Sequence, residues 1–449
     1  MKNYDIYRIA DKVKALSQEH NADEYEVYVS ETTKLSLSID NNMKIEKLQT
    51  DEEIALALRL IKNQRSGFSF SYSMSDSAIE ETFNRALDTG SIMNKQPFSF
   101  VENRQDTIPS DKFYDPAVET LPEHKKIELL NRMIHVALTD KRIKKVDRPT
   151  YEEVISHVSI ANSRGILKSY KVTRFNISLS VLAKEHEETQ MSWNFQAANT
   201  FSHLTPEVVA RNCAQQAIQT LGGIQLLTGF YDVLLIPFVV SQFLSILGNA
   251  FKADAIYKKT SMLTDKLGQK AFAEHLNIYD DPGLIDGSGS VPFDAEGVPA
   301  FKKTLVEKGM VKSFLYDRNY AILMGKETTG NAVRPSIMRS PVISTTNLVL
   351  DSDRSSEKDL NNVLSEGPVI TELMGLHTVN PVTGDFSLGS RGYIIKSGRF
   401  SSPCKHITVS GNIFDLFNKI ELAGRDHTLY GNILAPSLLV RALKISGDI

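Results

Sequence analysis

The sequence predicts an α+β protein: an antiparallel, strand-rich C-terminal body with a twisted or barrel-like sheet, preceded by two smaller helix–antiparallel-sheet–helix units. Three observations carry that prediction. Short apolar–polar alternations recur along the chain, bounded by Gly, Asn and Asp. Helical periodicity stands before and after each of the first two groups of strands. From Phe230 onward the pattern is strand-rich and glycine-punctuated, with one amphipathic helix near its start.

Ile6, Ile9, Val13 and Leu16 mark one face of an opening helix that ends near Asn21. Tyr25–Val29 and Leu35–Ile39 alternate as strands, and the turn Asp40-Asn41-Asn42 joins the second of them to Met43–Lys47 as a hairpin. Ala55–Ile61 and Phe68–Tyr72 flank the turn Asn63–Gly67. Ser77 and Glu80 have capping-box spacing for a helix that ends at Gly90. Residues 95–116 lack periodicity and read as a connecting arm, so the first unit spans 1–115. A helix over about 122–139 follows, with Ile127, Leu130, Ile134 and Leu138 on one face. Strands are expected at Glu152–Asn162, Lys171–Ala183 and Thr189–Ala197, then a helix capped by Thr205-Pro206 and stopped at Gly222-Gly223. This second unit, 116–226, repeats the plan of the first.

The third unit, 227–449, opens with the buried-strand run Val233–Ile236, ended by Pro237. The period then changes, and a central helix is predicted over 239–256 with Val240, Leu244, Leu247 and Phe251 on its apolar stripe. Gly248 interrupts that helix at about 1 kcal/mol relative to Ala, which predicts a close neighbour. Strands follow at Ala300–Val306 and Val311–Leu315 (a hairpin), Thr345–Leu350, Val369–Leu373, Gly392–Lys396 and His406–Val409.

The 449 residues suffice for two or three domains. An apolar share of 41% and a charged share of 23% are ordinary for a soluble globular protein. Net charge is -3 and the pI about 6.4, so no global basic field draws the chain to nucleic acid. The N-terminal MKNYDIYRIADKVKALSQEH has no continuous apolar core, which argues against a signal peptide. No apolar run approaches the roughly 20 residues that span a bilayer. Cys213 and Cys404 form neither a disulfide framework nor a close ligand pair, so a reduced, cytoplasmic protein is expected.

Several segments occur in a telling order: the strand and helix with Gly248, Asp254 and Ser261, then Asp294-Ala-Glu-Gly-Val-Pro299, Thr328-Thr-Gly-Asn331 with Arg334, Asn380-Pro-Val-Thr-Gly-Asp-Phe386 and Gly424-Arg-Asp426. Together they resemble the TldD/PmbA family, historically labelled modulators of DNA gyrase. In TldD members the central helix carries HExxxH around a metal ion, and a cysteine near the C-terminus completes the site. Against that pattern Leu244 replaces the first histidine, Ser245 the glutamate, Asn249 the second histidine and Ala423 the cysteine. Leucine and alanine have no lone pair for a metal, and a carboxamide is a poor substitute for imidazole. The ten histidines include no HxxxH or HExxH pair. The likeness is therefore to the PmbA (TldE) branch: no catalytic residue and no metal ligand are assigned to this chain.

Other candidates each have a plainer reading. Thr328, Thr329, Asn331 and Arg334 are candidates for binding a peptide backbone or carboxylate, and equally for a hydrogen-bonded loop. Asp294 and Glu296 are read as organising their turn rather than as a catalytic pair. Cys404 is read as packed on a strand, and Gly287-Ser-Gly-Ser290 as a flexible loop. What the resemblance implies is the non-metal subunit of a cytoplasmic peptidase acting in proteolysis or maturation of extended peptides. The zinc-type metal would then sit in a TldD-like partner. A homodimeric, non-catalytic peptide- or protein-binding module is the alternative, and a self-sufficient hydrolase a third. No direct nucleic-acid or membrane partner is expected.

Overall fold

The computed structural model describes residues 5–105, 108–356 and 358–447; residues 106–107 of the connecting arm lie outside that set. The N-terminal half contains α1 (Ile6–Glu19), β1 (Glu24–Ile39), β2 (Ile45–Lys62), β3 (Arg65–Ser71) and α2 (Asp76–Ser91). After the arm come α3 (Glu123–Ala137), β4 (Ile143–Asn162), β5 (Leu167–Glu185), β6 (Glu188–Ala198) and α4 (Pro206–Ile218). The strands of both groups form one six-stranded sheet in the order β3-β2-β1-β4-β5-β6. All its pairings are antiparallel, and the order is symmetrical about the β1–β4 pair, which runs from Glu26↔Asn162 to Ser38↔Thr150. Helix, three strands and helix thus occur twice.

Several boundaries differ from expectation, each for a local reason. Tyr25–Val29 and Leu35–Ile39 are one strand, because the polar Ser30–Lys34 between them is held from both sides by β2 and β4. The N-cap of α2 is Ser75, whose hydroxyl accepts from the Ala78 amide, so the Ser77/Glu80 box does not form the cap. Thr205 does not cap α4 with its side chain; its hydroxyl donates to Gln196 Oε1, and Pro206 alone marks the first turn.

The C-terminal half begins with β7 (Gly229–Leu235), α5 (Pro237–Ala250) and α6 (Ala253–Tyr257), then β8 (Leu276–Asp280), β9 (Lys303–Glu307), β10 (Met310–Val311) and α7 (Arg318–Leu323). Next are β11 (Ala332–Val333), β12 (Val342–Ile343), β13 (Leu348–Ser352), α8 (Leu360–Leu364), β14 (Gly367–Met374), β15 (Asp385–Lys396) and β16 (Arg399–Asn412). The chain ends with α9 (Ile413–Asn418), β17 (Ile420–Ala423), β18 (Thr428–Tyr430), β19 (Ile433–Ala435) and β20 (Leu438–Gly447). Strands β16-β15-β14-β7-β20 run in that order and close through β16–β20 pairing, a five-stranded barrel with β17 added beside β20. A second six-stranded sheet has the order β10-β9-β8-β13-β19-β18.

Val240, Phe243, Leu244, Leu247 and Phe251 are buried in one apolar cluster with residues of the barrel and of the second sheet, such as Ile370, Leu388 and Leu348. Burial of a side chain of this size contributes roughly 1.5–3 kcal/mol. The expected helix over 239–256 is two helices: Pro237 opens α5, the chain turns extended at Lys252, and the Ala253 amide donates to Leu315 O. A Cβ at Gly248 would stand 2.7 Å from Leu348 Cδ1, the close approach its position in the helix called for. Among the described residues, no helix is long and apolar enough to cross a membrane.

Candidate functional site

Three places carry the sequence's candidate residues. The first is α5. Leu244 has no exposed surface and Ala423 only 1%, both within the same apolar cluster. Ser245 and Asn249 lie on the solvent side of the helix, and Asn249 Nδ2 donates to Ser245 O. At about 100° per residue, positions 244 and 249 project some 140° apart, so they share no face. A hydroxyl and a carboxamide outside, with an isobutyl and a methyl group inside, do not make a donor set that encloses a metal ion. Among the described residues, no three His, Cys, Asp or Glu side chains are grouped to hold one.

The second is the loop before β11. Thr328 Oγ1 and Thr329 Oγ1 both donate to Tyr316 O, and the Tyr316 amide donates back to Thr329 Oγ1. Asn331 Nδ2 donates to Asp280 Oδ2 and to Ser344 O; Asp280 is also paired with Lys303 at 3.0 Å. Asn331, Asp280 and Lys303 are all buried. These contacts fasten the loop to the sheet and leave Asn331 no surface to offer.

Arg334 leads to the third place, the junction between the N-terminal sheet and the C-terminal body. Its guanidinium lies over Tyr28, 4.6 Å from the ring centroid, and 3.5 Å from Glu26 Oε1. Burial draws it down to about 10. Beside it Arg59 holds Glu26 through two bonds of 2.8 and 2.6 Å and reaches Glu296 Oε1 at 3.0 Å. Burial opposes the Arg59 charge, but the two carboxylates more than offset it and hold the guanidinium above its ordinary value. Glu296 Oε2 accepts from the Arg318 amide, and Asp294 accepts from the amides of Glu296, Val298 and Ala332. The acidic turn therefore organises itself and bolts the two halves together.

A cavity of about 440 Å³ opens beside this network, lined from both halves by Arg59, Phe98, Asp254, Glu296, Asp317 and Tyr320 among others. Asp317 caps α7 by accepting from the Tyr320 amide. Its carboxyl is pushed up to about 7, by burial first and then by the charge of Glu296. Of the cavity's charged residues, the sequence singled out Glu296 in its acidic turn and Asp254 only as part of the ordered segments, not as a site residue. Arg59 left a signal, a lone charge inside the apolar run Ala55–Ile61, whereas Asp254 and Asp317 look like ordinary surface acids.

The remaining candidates are structural. Cys404 is fully buried on β16 and its thiol is pushed up to about 12 by burial, which leaves it unreactive. The Gly287–Ser290 segment is not a flexible loop. The Gly289 amide donates to Asn347 Oδ1, Ser290 is fully buried, and a Cβ at Gly289 would sit 2.1 Å from Thr346 O.

Three family models cover most of the chain: the PmbA/TldA metallopeptidase domain 1 at 25–89, the central domain at 116–221 and the C-terminal domain at 228–447. The metalloprotease PmbA of Escherichia coli O157:H7 is 29% identical over 433 residues, 95% of this chain and 93% of its own. A metalloprotease TldD homolog of Buchnera aphidicola (from Acyrthosiphon pisum) is 26% identical, covering 83% of this chain and 80% of its own. The crystal structure of a protein described as a modulator of a DNA gyrase from Thermotoga maritima superposes with a TM-score of 0.90 at 26% identity, covering 98% of this chain and 100% of that one. TldE from Thermococcus kodakarensis shares the fold, with a TM-score of 0.86 at 20% identity over 97% of this chain and 100% of that one. With three successive models matched along its length and relatives spanning nearly all of it, the chain belongs to the PmbA/TldD metallopeptidase family.

Proposed function

We propose that this chain is the PmbA/TldE-like, non-metal subunit of a cytoplasmic PmbA/TldD-type peptidase that cuts extended peptides, with the metal, its water and the general base supplied by a TldD-like partner. One observation carries the reading: the four positions set against the family's metal motif hold Leu244, Ser245, Asn249 and Ala423, two of them sunk in the core. A hydrolytic metal needs several electron-pair donors and one open position, and these residues supply neither. The neighbouring structure is intact, with α5 packed and Gly248 fitted against Leu348, which supports a scaffold kept without the metal chemistry. This chain's contribution would be a wall of the substrate chamber, on which an extended peptide lies by strand pairing.

The test is a mixing assay on an unfolded peptide, with this chain, a TldD-like chain from the same genome, and both together. Hydrolysis that rises at least tenfold in the mixture and disappears with chelator is expected. Hydrolysis by this chain alone, or a mixture no faster than the TldD-like chain by itself, contradicts the proposal.

A further inference from the structure

The cavity at the junction has a feature that its structural role does not use. Asp317 is only 6% exposed, and Oδ1 is engaged by the Tyr320 amide. Its second oxygen, Oδ2, has no hydrogen-bond or ion-pair partner among the described residues, and the side chain lines the cavity. A nearly buried carboxylate with one unmatched oxygen facing a cavity is costly unless something positive meets it there.

The surroundings favour a cation. Glu296 spends both oxygens on Arg59 and the Arg318 amide. Asp254 stands at the rim, 3.5 Å from Lys258. Arg59, held by Glu26 and Glu296, also draws the Asp317 carboxyl down by its charge, but it makes no hydrogen bond or ion pair with Asp317 among the described residues. Phe98 and Tyr320 add aromatic surface, and Pro341 and Val342 an apolar wall. Arg59 and Lys258 also line the cavity and pair with Glu296 and Asp254, which leaves Asp317 as the lining carboxylate without an ion-pair partner among the described residues. With the aromatic and apolar sides, that carboxylate suits a small cationic head on an aliphatic stem.

We propose that this cavity binds a primary ammonium group carried by a peptide, held by Asp317 Oδ2 with Asp254 adding negative charge nearby. An N-terminal amine and a lysine side chain present the same chemistry. The volume of about 440 Å³ accommodates either of them with one adjoining residue. The site deepens the peptidase reading by naming which end or side chain of a substrate this subunit would hold. It does not depend on the metal-bearing partner, because binding is measured on this chain alone.

The experiment is calorimetric titration of the purified chain with four versions of one hexapeptide: free or acetylated at the N-terminus, and with lysine or norleucine at the second position. The expected result is binding at least tenfold tighter for a peptide with an amine than for the acetylated norleucine peptide. Preference for the free terminus assigns the terminal amine, and preference for lysine assigns the side chain. Asp317→Asn keeps an oxygen for the Tyr320 amide, so it should fold with an unchanged circular-dichroism spectrum and lose the discrimination. Asp254→Asn, at the rim, should weaken it two- to threefold. Equal affinity for all four peptides, or full discrimination by a folded Asp317→Asn protein, overturns the proposal.

Discussion

Arg59 sits where few charges are tolerated, with only 8% of its side chain exposed, and it holds two carboxylates that are more deeply buried still. Removing one member of such a network leaves the others charged and unpaired in a poorly solvated place. Arg59→Ala should therefore destabilise the protein by about 3–5 kcal/mol, read by denaturant unfolding, far more than loss of a surface pair such as Lys125–Glu128. Asp317 gives a second prediction at this scale. Its folded-state carboxyl stands near 7, against about 3.9 in an unfolded chain, so the folded state binds the extra proton between those values. The associated stability is complete below about pH 4 and is lost as pH rises through 7. The melting temperature should fall between about pH 4 and 7, and Asp317→Asn should flatten that fall; a variant with the wild-type slope would show that Asp317 is not the group responsible. Arg59 was legible as a charge in an apolar run. Its partners Glu26 and Glu296, 33 and 237 residues away, were not, because nothing local records who meets whom across an interface.

At the scale of elements, propensity and periodicity located the helices and strands of the N-terminal half, the central helix and several strands after it, but misjudged their ends and gave no strand for β8 or for β17 to β20. Strands β1 and β2 are 16 and 18 residues long, and the polar stretches inside them looked like interruptions because pairing with a neighbouring strand cannot be seen from one strand. The break between α5 and α6 was invisible for the same reason: Leu315, which accepts the Ala253 amide, lies 62 residues further on. Gly248 was a better guide, since its close neighbour was expected, whereas Gly67, read as the end of a turn, lies on a strand. Gly67 on β3 and Gly90 on α2 meet face to face, and a Cβ on Gly67 would stand 1.8 Å from Ala86 O. Gly67→Ala must push α2 off the sheet, at a cost of about 1–3 kcal/mol from overpacking. A melting temperature equal to that of the wild type would mean that the helix does not need this contact.

At the scale of the molecule, the N-terminal sheet and the C-terminal body meet through a small set of buried charges, and a cavity opens where they meet. The fold class and the family were legible in the order of segments from Phe230 onward. The distribution of chemistry was only half legible, since substitution of the motif residues is visible in the sequence, while the burial of Leu244 and Ala423 in one core is not. On the proposed reading that burial matters, because packed apolar atoms at two of the motif positions would stabilise a scaffold without a metal site. Metal content of the purified chain, measured by mass spectrometry after dialysis, therefore tests the central claim most directly. Far less than one transition-metal ion per chain is the predicted result, whereas one tightly held ion per chain, removed by Asn249→Ala, would contradict it.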